Sequence, residues 1–325
     1  MSRVFVTGGS GFIGGALIGR LVRDGHEVHA LARSRSAADR VVGLGAIPAD
    51  GDLADADGLR DAMQGSRRVF HVAGVNELCP RDELAMFQAN VAGTRNVVAA
   101  AAEAGVDRVV YTSSAVVLGE EAGTIGSESS AHRGRYVSTY ERSKHEAELV
   151  AFTTAAHHGI DVVAVNPSSV QGPGRVEGSA RIFLMALRSP RPWLFDTAIS
   201  LVDIDDCVEA HLLAAERGVA GERYVVSGAV LGVRDAVAML NEVAGVESRP
   251  RLVPRTVVKG VGIPVSLIAR FIPTKTRICP EMLRVLLHGH RYDGSRAARD
   301  LGLVYTPAQE TIRKTVEWYR TEGLV

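Results

Sequence analysis

RVFVTGGSGFIGGALIGRLVR, residues 3–23, decides how this chain is read. Arg3 to Val6 makes a short buried strand, and Thr7-Gly8-Gly9-Ser10-Gly11 makes a turn. From Phe12 to Arg23 the apolar residues Ile13, Leu17, Leu21 and Val22 fall on one helical face. The glycines read Gly9-x-Gly11-x-x-Gly14, overlapping Gly8-x-x-Gly11-x-x-Gly14. One glycine permits the tight turn. A second lets the backbone approach a pyrophosphate, and a third lets helix and strand lie close together. The helix start, with Phe12 and Ile13, then offers unpaired N–H groups and the positive end of its dipole to phosphates. A dinucleotide site is expected here.

The pattern continues outward. Glu27 to Ala32, Arg68 to Val72, Arg108 to Ser114 and Asp161 to Val165 read as strands. Asp55 to Gln64, Leu84 to Ala104 and Ser138 to His158 read as helices between them. Such alternation predicts an α/β class with a doubly wound parallel sheet. After Asn166-Pro167 the elements shorten and prolines interrupt the chain. Residues 1–170 are therefore expected to form the dinucleotide-binding domain. Residues 171–325 are expected to form mainly a smaller α+β substrate-binding lobe, with crossovers back to the first sheet. The tract Gly119 to Tyr136 reads as a loop.

The second strand ends Leu31-Ala32-Arg33-Ser34-Arg35, where many NAD sites carry a carboxylate for the ribose 2′-hydroxyl. A carboxylate would repel a 2′-phosphate, whereas Arg33 and Arg35, on either side of Ser34, can pair with one. NADP(H) is the expected cofactor, with NAD(H) as the alternative.

Tyr140-Glu141-Arg142-Ser143-Lys144 places a phenol and an ammonium four apart on one helix face. A free tyrosine titrates near 10, too high for acid–base work at neutral pH. A neighbouring ammonium favours the phenolate, so Lys144 is expected to lower Tyr140. Ser114 ends a strand, and the carboxyl ends of parallel strands are where doubly wound folds bind ligands. Its hydroxyl can hold a reacting oxygen near Tyr140; Ser113 is its rival.

These motifs resemble the extended short-chain dehydrogenases/reductases. The matching pieces are TGGSGFIG at 7–14, Gly51-Asp52-Leu53, His71-Val72-Ala73-Gly74, NVAGTRN at 90–96 and YTSSAVVLG at 111–119. They continue with Tyr140-x-x-x-Lys144, NPSSVQGPG at 166–174 and VDIDDCVEAH at 202–211. The resemblance covers nearly the whole chain and implies a Rossmann sheet. It implies that Ser114, the serine directly before the alanine, is catalytic with Tyr140 and Lys144, and that Lys144 also holds the nicotinamide ribose. It implies adenine contact at Asp52 and Leu53, and pyrophosphate lining at Val72, Ala73 and Gly74. Thr112 joins the cofactor site, and Pro167 and Ser169 flank the nicotinamide. Asn90 would support a water chain, and hydride would leave the pro-S face.

Within that family the chain is similar to the dihydroflavonol reductase and 3β-hydroxysteroid dehydrogenase subgroup. Arg33 stands where NAD-retaining epimerases carry an acid. The stretch between Gly174 and Val202 is short, and the end resembles that subgroup. Gln171 and Leu118 depart from many relatives and leave the substrate unnamed. The expected activity interconverts a carbonyl and a secondary alcohol on a small or medium apolar or polyol substrate. The alternatives are a nucleotide-sugar epimerase or dehydratase that retains its cofactor, and a dinucleotide sensor without turnover.

Other features set bounds. Lys plus Arg and Asp plus Glu both total 37, so nothing suggests a nucleic-acid partner. Arg175, after Gly172-Pro173-Gly174, is a candidate for a substrate anion. No HExxH or paired ligand spacing occurs among the histidines, so no metal is expected. Asp203, Asp205 and Asp206 read as a capped helix start. Cys79, Cys207 and Cys279 show no CxxC spacing and are expected as three thiols in a reducing cytoplasm. The chain opens directly on a strand, with no signal peptide expected. Its most apolar tract, Val257 to Ile272, is broken by Lys259, Gly260, Pro264 and Arg270. A packed helix is expected there, with a pocket wall or membrane-surface contact as other roles. Relatives commonly pair through the two long helices, so a homodimer through 84–104 and 138–158 is expected.

Overall fold

The computed structural model describes residues 2–258 and 279–325. Of the apolar tract 257–272, all but its first two residues lie outside the described residues.

The chain starts as read: β1 (Arg3–Thr7), α1 (Phe12–Arg23) and β2 (Glu27–Ala32). It continues with α2 (Arg35–Gly43), β3 (Ile47–Asp50), α3 (Ala56–Met63), β4 (Arg68–His71), α4 (Glu83–Phe87) and α5 (Gly93–Glu103). Next come β5 (Arg108–Thr112), α6 (Thr139–His158), β6 (Asp161–Pro167), β7 (Ser169–Gln171) and α7 (Ala180–Arg188). The remainder holds β8 (Trp193–Phe195), β9 (Ala198–Asp203), α8 (Ile204–Arg217), β10 (Arg223–Val226), β11 (Ala229–Gly232), α9 (Val233–Ala244) and β12 (Arg251–Val253). Helices Pro280–His288 and Ala308–Thr321 close the described chain.

The main sheet has the order β10-β6-β5-β4-β1-β2-β3, with every neighbour parallel. Its strands are apolar at successive positions because both faces are covered. Val4, Val6, Phe70, Val110, Val163 and Val165 pack with α1 and α8. Phe5, Val69, Val109, Val162 and Ala164, one register away, pack with α3, α5 and α6. The winding reverses between β1 and β4, which opens a crevice at their carboxyl ends.

β10 comes from the second half of the chain and joins the main sheet beside β6. The smaller lobe has a three-stranded sheet, β11-β9-β7, and a parallel pair, β12-β8. Its own core joins Phe183, Ile199, Leu240 and Ile312. Asp203 caps α8 by accepting the Asp205 N–H at 2.9 Å, as the acidic run predicted.

Two expectations are corrected. The helix read as 84–104 is continuous in space, but its middle, Gln88–Ala92, is a π turn that widens the coil around Asn90. Cys79 and Cys279 are not separate thiols: they pair as a disulfide, with Cα atoms 6.5 Å apart. Their 200-residue separation hides this in the sequence, whereas the fold lays the loop after β4 against helix Pro280–His288. Cys207 remains a buried free thiol.

Candidate active site

The crevice begins with the glycine turn. Gly8 has φ +73, and a Cβ there would lie 2.6 Å from the Ala73 nitrogen. A Cβ on Gly14 would strike the Gly8 carbonyl. α1 starts at Gly11 with no side-chain cap and no acid in its first turn. Its N–H groups and dipole are thus left to an anion, and the cradle fits a pyrophosphate.

At the end of β2, Arg33 is exposed and makes no ion pair among the described residues. Arg35 pairs with Asp39 at 3.2 Å along α2, and Ser34 caps that helix by accepting the Ala37 N–H. Of Arg33 and Arg35, only Arg33 is without an ion pair among the described residues. Asp52 closes its own turn by accepting the Ala54 N–H at 2.9 Å, and the Leu53 carbonyl accepts from Asn96.

A chain of hydrogen bonds links the turn to the catalytic candidates. The Ala73 N–H donates to Thr7 Oγ1, 3.2 Å away, and Thr7 Oγ1 lies 2.7 Å from His71 Nδ1. His71 Nε2 is 3.0 Å from Thr94 Oγ1, whose hydroxyl donates to the Asn90 carbonyl at 2.5 Å. Burial and the Lys144 charge hold His71 at about 3, so it is neutral. Asn90, 1% exposed, accepts from the Val75 N–H and donates to the Val75 carbonyl and to Ser143 Oγ. Ser143 in turn donates to the Tyr140 carbonyl at 2.8 Å. The π turn gives Asn90 this reach, since a π bulge re-aims one residue of a helix.

α6 is set by its first turn. Ser138 accepts the Glu141 N–H at 3.1 Å, and Glu141 accepts the Val137 N–H at 2.8 Å while pairing with Arg133. Glu281 reaches across to accept both the N–H and the hydroxyl of Thr139. Tyr140 and Lys144 then face the crevice from one side of the helix.

Lys144 is buried and donates to the Thr112 carbonyl at 2.8 Å, lying 4.6 Å from the centre of the Tyr111 ring. Burial lowers it to about 7, against the opposing charge of Glu148. Tyr140 is half-buried, and its phenol is pushed up by burial; the Ser114 hydroxyl and the Arg175 charge pull it back. Lys144 was expected to lower Tyr140, but in this geometry it reaches Thr112 and the lowering groups are Ser114 and Arg175. Ser113, the rival serine, is buried, its hydroxyl without a partner among the described residues.

The remaining candidates divide. The Thr112 hydroxyl turns to His211 at 2.8 Å, so its carbonyl is what faces the site. Pro167 ends β6, buried, while Ser169 bonds Gln171 and Ser179. Arg175 packs 5.5 Å from the Phe12 ring centre, with Nε buried and without a partner among the described residues. A Cβ on Gly74 would lie 3.1 Å from Asn90 Oδ1, so the approach there is tight. Thr7, Thr94 and Ser143 escaped the sequence reading; the four-residue step from Asn90 to Thr94 is their only local signal. A cavity of about 140 Å³ lined by Arg20, Asp24, Arg68 and Glu209 lies at the opposite, amino ends of β1 and β4. It is remote from Tyr140, and ligands in such sheets bind at the carboxyl ends.

The chain matches the NAD dependent epimerase/dehydratase family over residues 4–227. It belongs to that family. This family member is similar to the "Putative dihydroflavonol 4-reductase" of Synechocystis sp., 32% identical over 99% of this chain and 95% of the relative. It is similar to "Sterol demethylase protein B" of Methylococcus capsulatus, 33% identical over 98% and 99% of the two chains. The crystal structure of gox2253 superposes with a TM-score of 0.85 at 29% identity, covering 100% of both. The protein is an extended short-chain dehydrogenase/reductase, an enzyme of the NAD(P)-dependent type. No helix among the described residues is long and apolar enough to cross a membrane.

Proposed function

We propose that this family member is an NADP(H)-dependent reductase interconverting a carbonyl and a secondary alcohol on a small or medium substrate. The observation that carries the reading is the convergence of Ser114, Tyr140 and Lys144 beside a glycine cradle with an acid-free β2 end. When bound, the nicotinamide supplies or accepts the hydride. Ser114 orients the substrate oxygen, and Tyr140 gives it a proton or takes one back. Lys144, anchored on the Thr112 carbonyl, holds the ribose and keeps a cation near the reacting groups. Asn90, braced by Val75 and Ser143, supports the proton route behind Lys144. Arg175 faces the substrate side, and Arg33 faces the 2′-phosphate. The enzyme would act in the cytoplasm as a homodimer.

The test follows NADPH loss across a carbonyl panel and compares cofactors by calorimetry. NADP(H) is expected to bind at least about tenfold more tightly than NAD(H), with Arg33→Asp reversing the order. Tyr140→Phe is expected to keep NADP(H) binding and lose roughly 10²–10⁴-fold in turnover. Near-normal turnover in Tyr140→Phe would sink the mechanism. A tightly retained, non-exchanging NAD(H) would favour the epimerase reading instead.

A further inference from the structure

Glu120 follows the turn after β5, in the lobe of the main sheet. His288 ends helix Pro280–His288, and His290 follows Gly289, whose φ of +67 turns the chain back. The turn brings the two imidazoles together, with ring centres 4.4 Å apart. Both point at a single carboxylate oxygen. Glu120 Oε1 is 3.1 Å from His288 Nε2 and 2.7 Å from His290 Nδ1.

All three groups are withdrawn from water, with side-chain exposures of 2% for Glu120, 7% for His288 and 13% for His290. The hydrogen bonding among them is incomplete among the described residues: Glu120 Oε2 is buried without a partner there, and so are His290 Nε2 and the Tyr292 hydroxyl beside it. A carboxylate can accept on both oxygens, yet here both imidazoles crowd one oxygen. Unsatisfied buried polar atoms in a cluster call for a bound water or ion.

We propose that Glu120, His288 and His290 form a binding site for a divalent transition-metal ion of the zinc class. His288 Nε2, His290 Nδ1 and the Glu120 oxygen all lie within 4.8 Å of one another. Donors at roughly 2.0–2.2 Å from one tetrahedral ion span such distances. Two imidazole nitrogens with one carboxylate oxygen are a zinc-type donor set, and three protein ligands leave a fourth position for water. Each neutral imidazole can free the ligating nitrogen by carrying its proton on the other ring nitrogen, so no proton need be released. The local charge suits a cation: Glu141 is paired with Arg133, which leaves the Glu120 charge to the site. The ion would join the main-sheet lobe to the segment that follows helix Pro280–His288. Sequence spacing concealed this, because Glu120 is remote in the chain from the two histidines.

The experiment titrates Co²⁺ into the full-length, chelator-treated protein, oxidised so that Cys79 and Cys279 stay paired. Visible absorption bands of a tetrahedral site should grow to one ion per chain and be displaced by Zn²⁺. Glu120→Gln and His290→Ala should each lose the bands or weaken binding by at least about tenfold, which is about 1.4 kcal/mol. Their far-ultraviolet circular dichroism should match the parent, so that the loss is read in a folded chain. The proposal is overturned if the folded parent shows no such bands and retains no zinc at micromolar metal. It is equally overturned if the bands persist in both variants, which would place the ion elsewhere.

Discussion

Burial holds the Lys144 ammonium at about 7, so the group is charged below that pH and neutral above it. If its charge stabilises the phenolate left when Tyr140 gives up a proton, carbonyl reduction should weaken as pH rises through about 7. Lys144→Arg keeps a charge at every working pH and should move that fall upward, at a lower overall rate because the planar fork does not fit a single carbonyl acceptor. A pH profile of kcat/KM with saturating NADPH checks this; a profile flat on both sides of about 7 would count against it. Much of this residue-level site was legible. Tyr140, Lys144 and Ser114 announce themselves by spacing and by strand-end position. The direction of each residue's influence was not legible. Whether Lys144 reaches the phenol or the Thr112 carbonyl depends on packing against Tyr111, which no local pattern records.

At the scale of elements, α6 depends on its first turn. Ser138→Ala removes the acceptor for the Glu141 N–H and should cost roughly 0.5–2 kcal/mol of stability, read by chemical denaturation. Because Tyr140 lies in that first turn and Lys144 one turn further in, turnover should fall more than NADP(H) affinity does. Equal losses in both would mean that the cap holds the whole helix rather than its start. α1 and β2 could be read in advance because periodic apolar residues mark them, and α6 because Ser138 and Gly159 mark its two ends. α2 and β3 gave no such signal: α2 buries only Val41, and Ile47, Pro48 and Asp50 of the edge strand are exposed. The π turn at Gln88–Ala92 was equally hidden, since an extra residue in one coil leaves the apolar spacing on either side intact.

At the scale of the molecule, α5 and α6 lie side by side on one face of the sheet, which leaves their outer surface to water. Leu149 of α6 is 49% exposed, and Leu84 of α4, which leads into α5 through the π turn, is 67% exposed. Two copies joining these surfaces would bury both in a four-helix bundle. Light scattering at micromolar concentration should give a dimer, and Leu149→Arg should give a folded monomer. A monomeric parent would remove the bundle. The doubly wound sheet was evident from strand–helix alternation, and crossovers back to it were expected, but which strand returns was not, because β10 follows a long excursion through the smaller lobe.

The Cys79–Cys279 pair also has a mechanical meaning. It ties off the 200-residue span between the cysteines into a closed loop that carries no load when the chain is pulled from its termini. Only the segments before Cys79 and after Cys279 can then be drawn out by force. Reduction would open the loop, and at about 3.5 Å per residue the fully stretched chain would gain on the order of 700 Å of contour length. Stretched singly in an optical trap, oxidised molecules should therefore stop short by that amount. Adding a reductant during the pull should release the missing length in one chemically timed step.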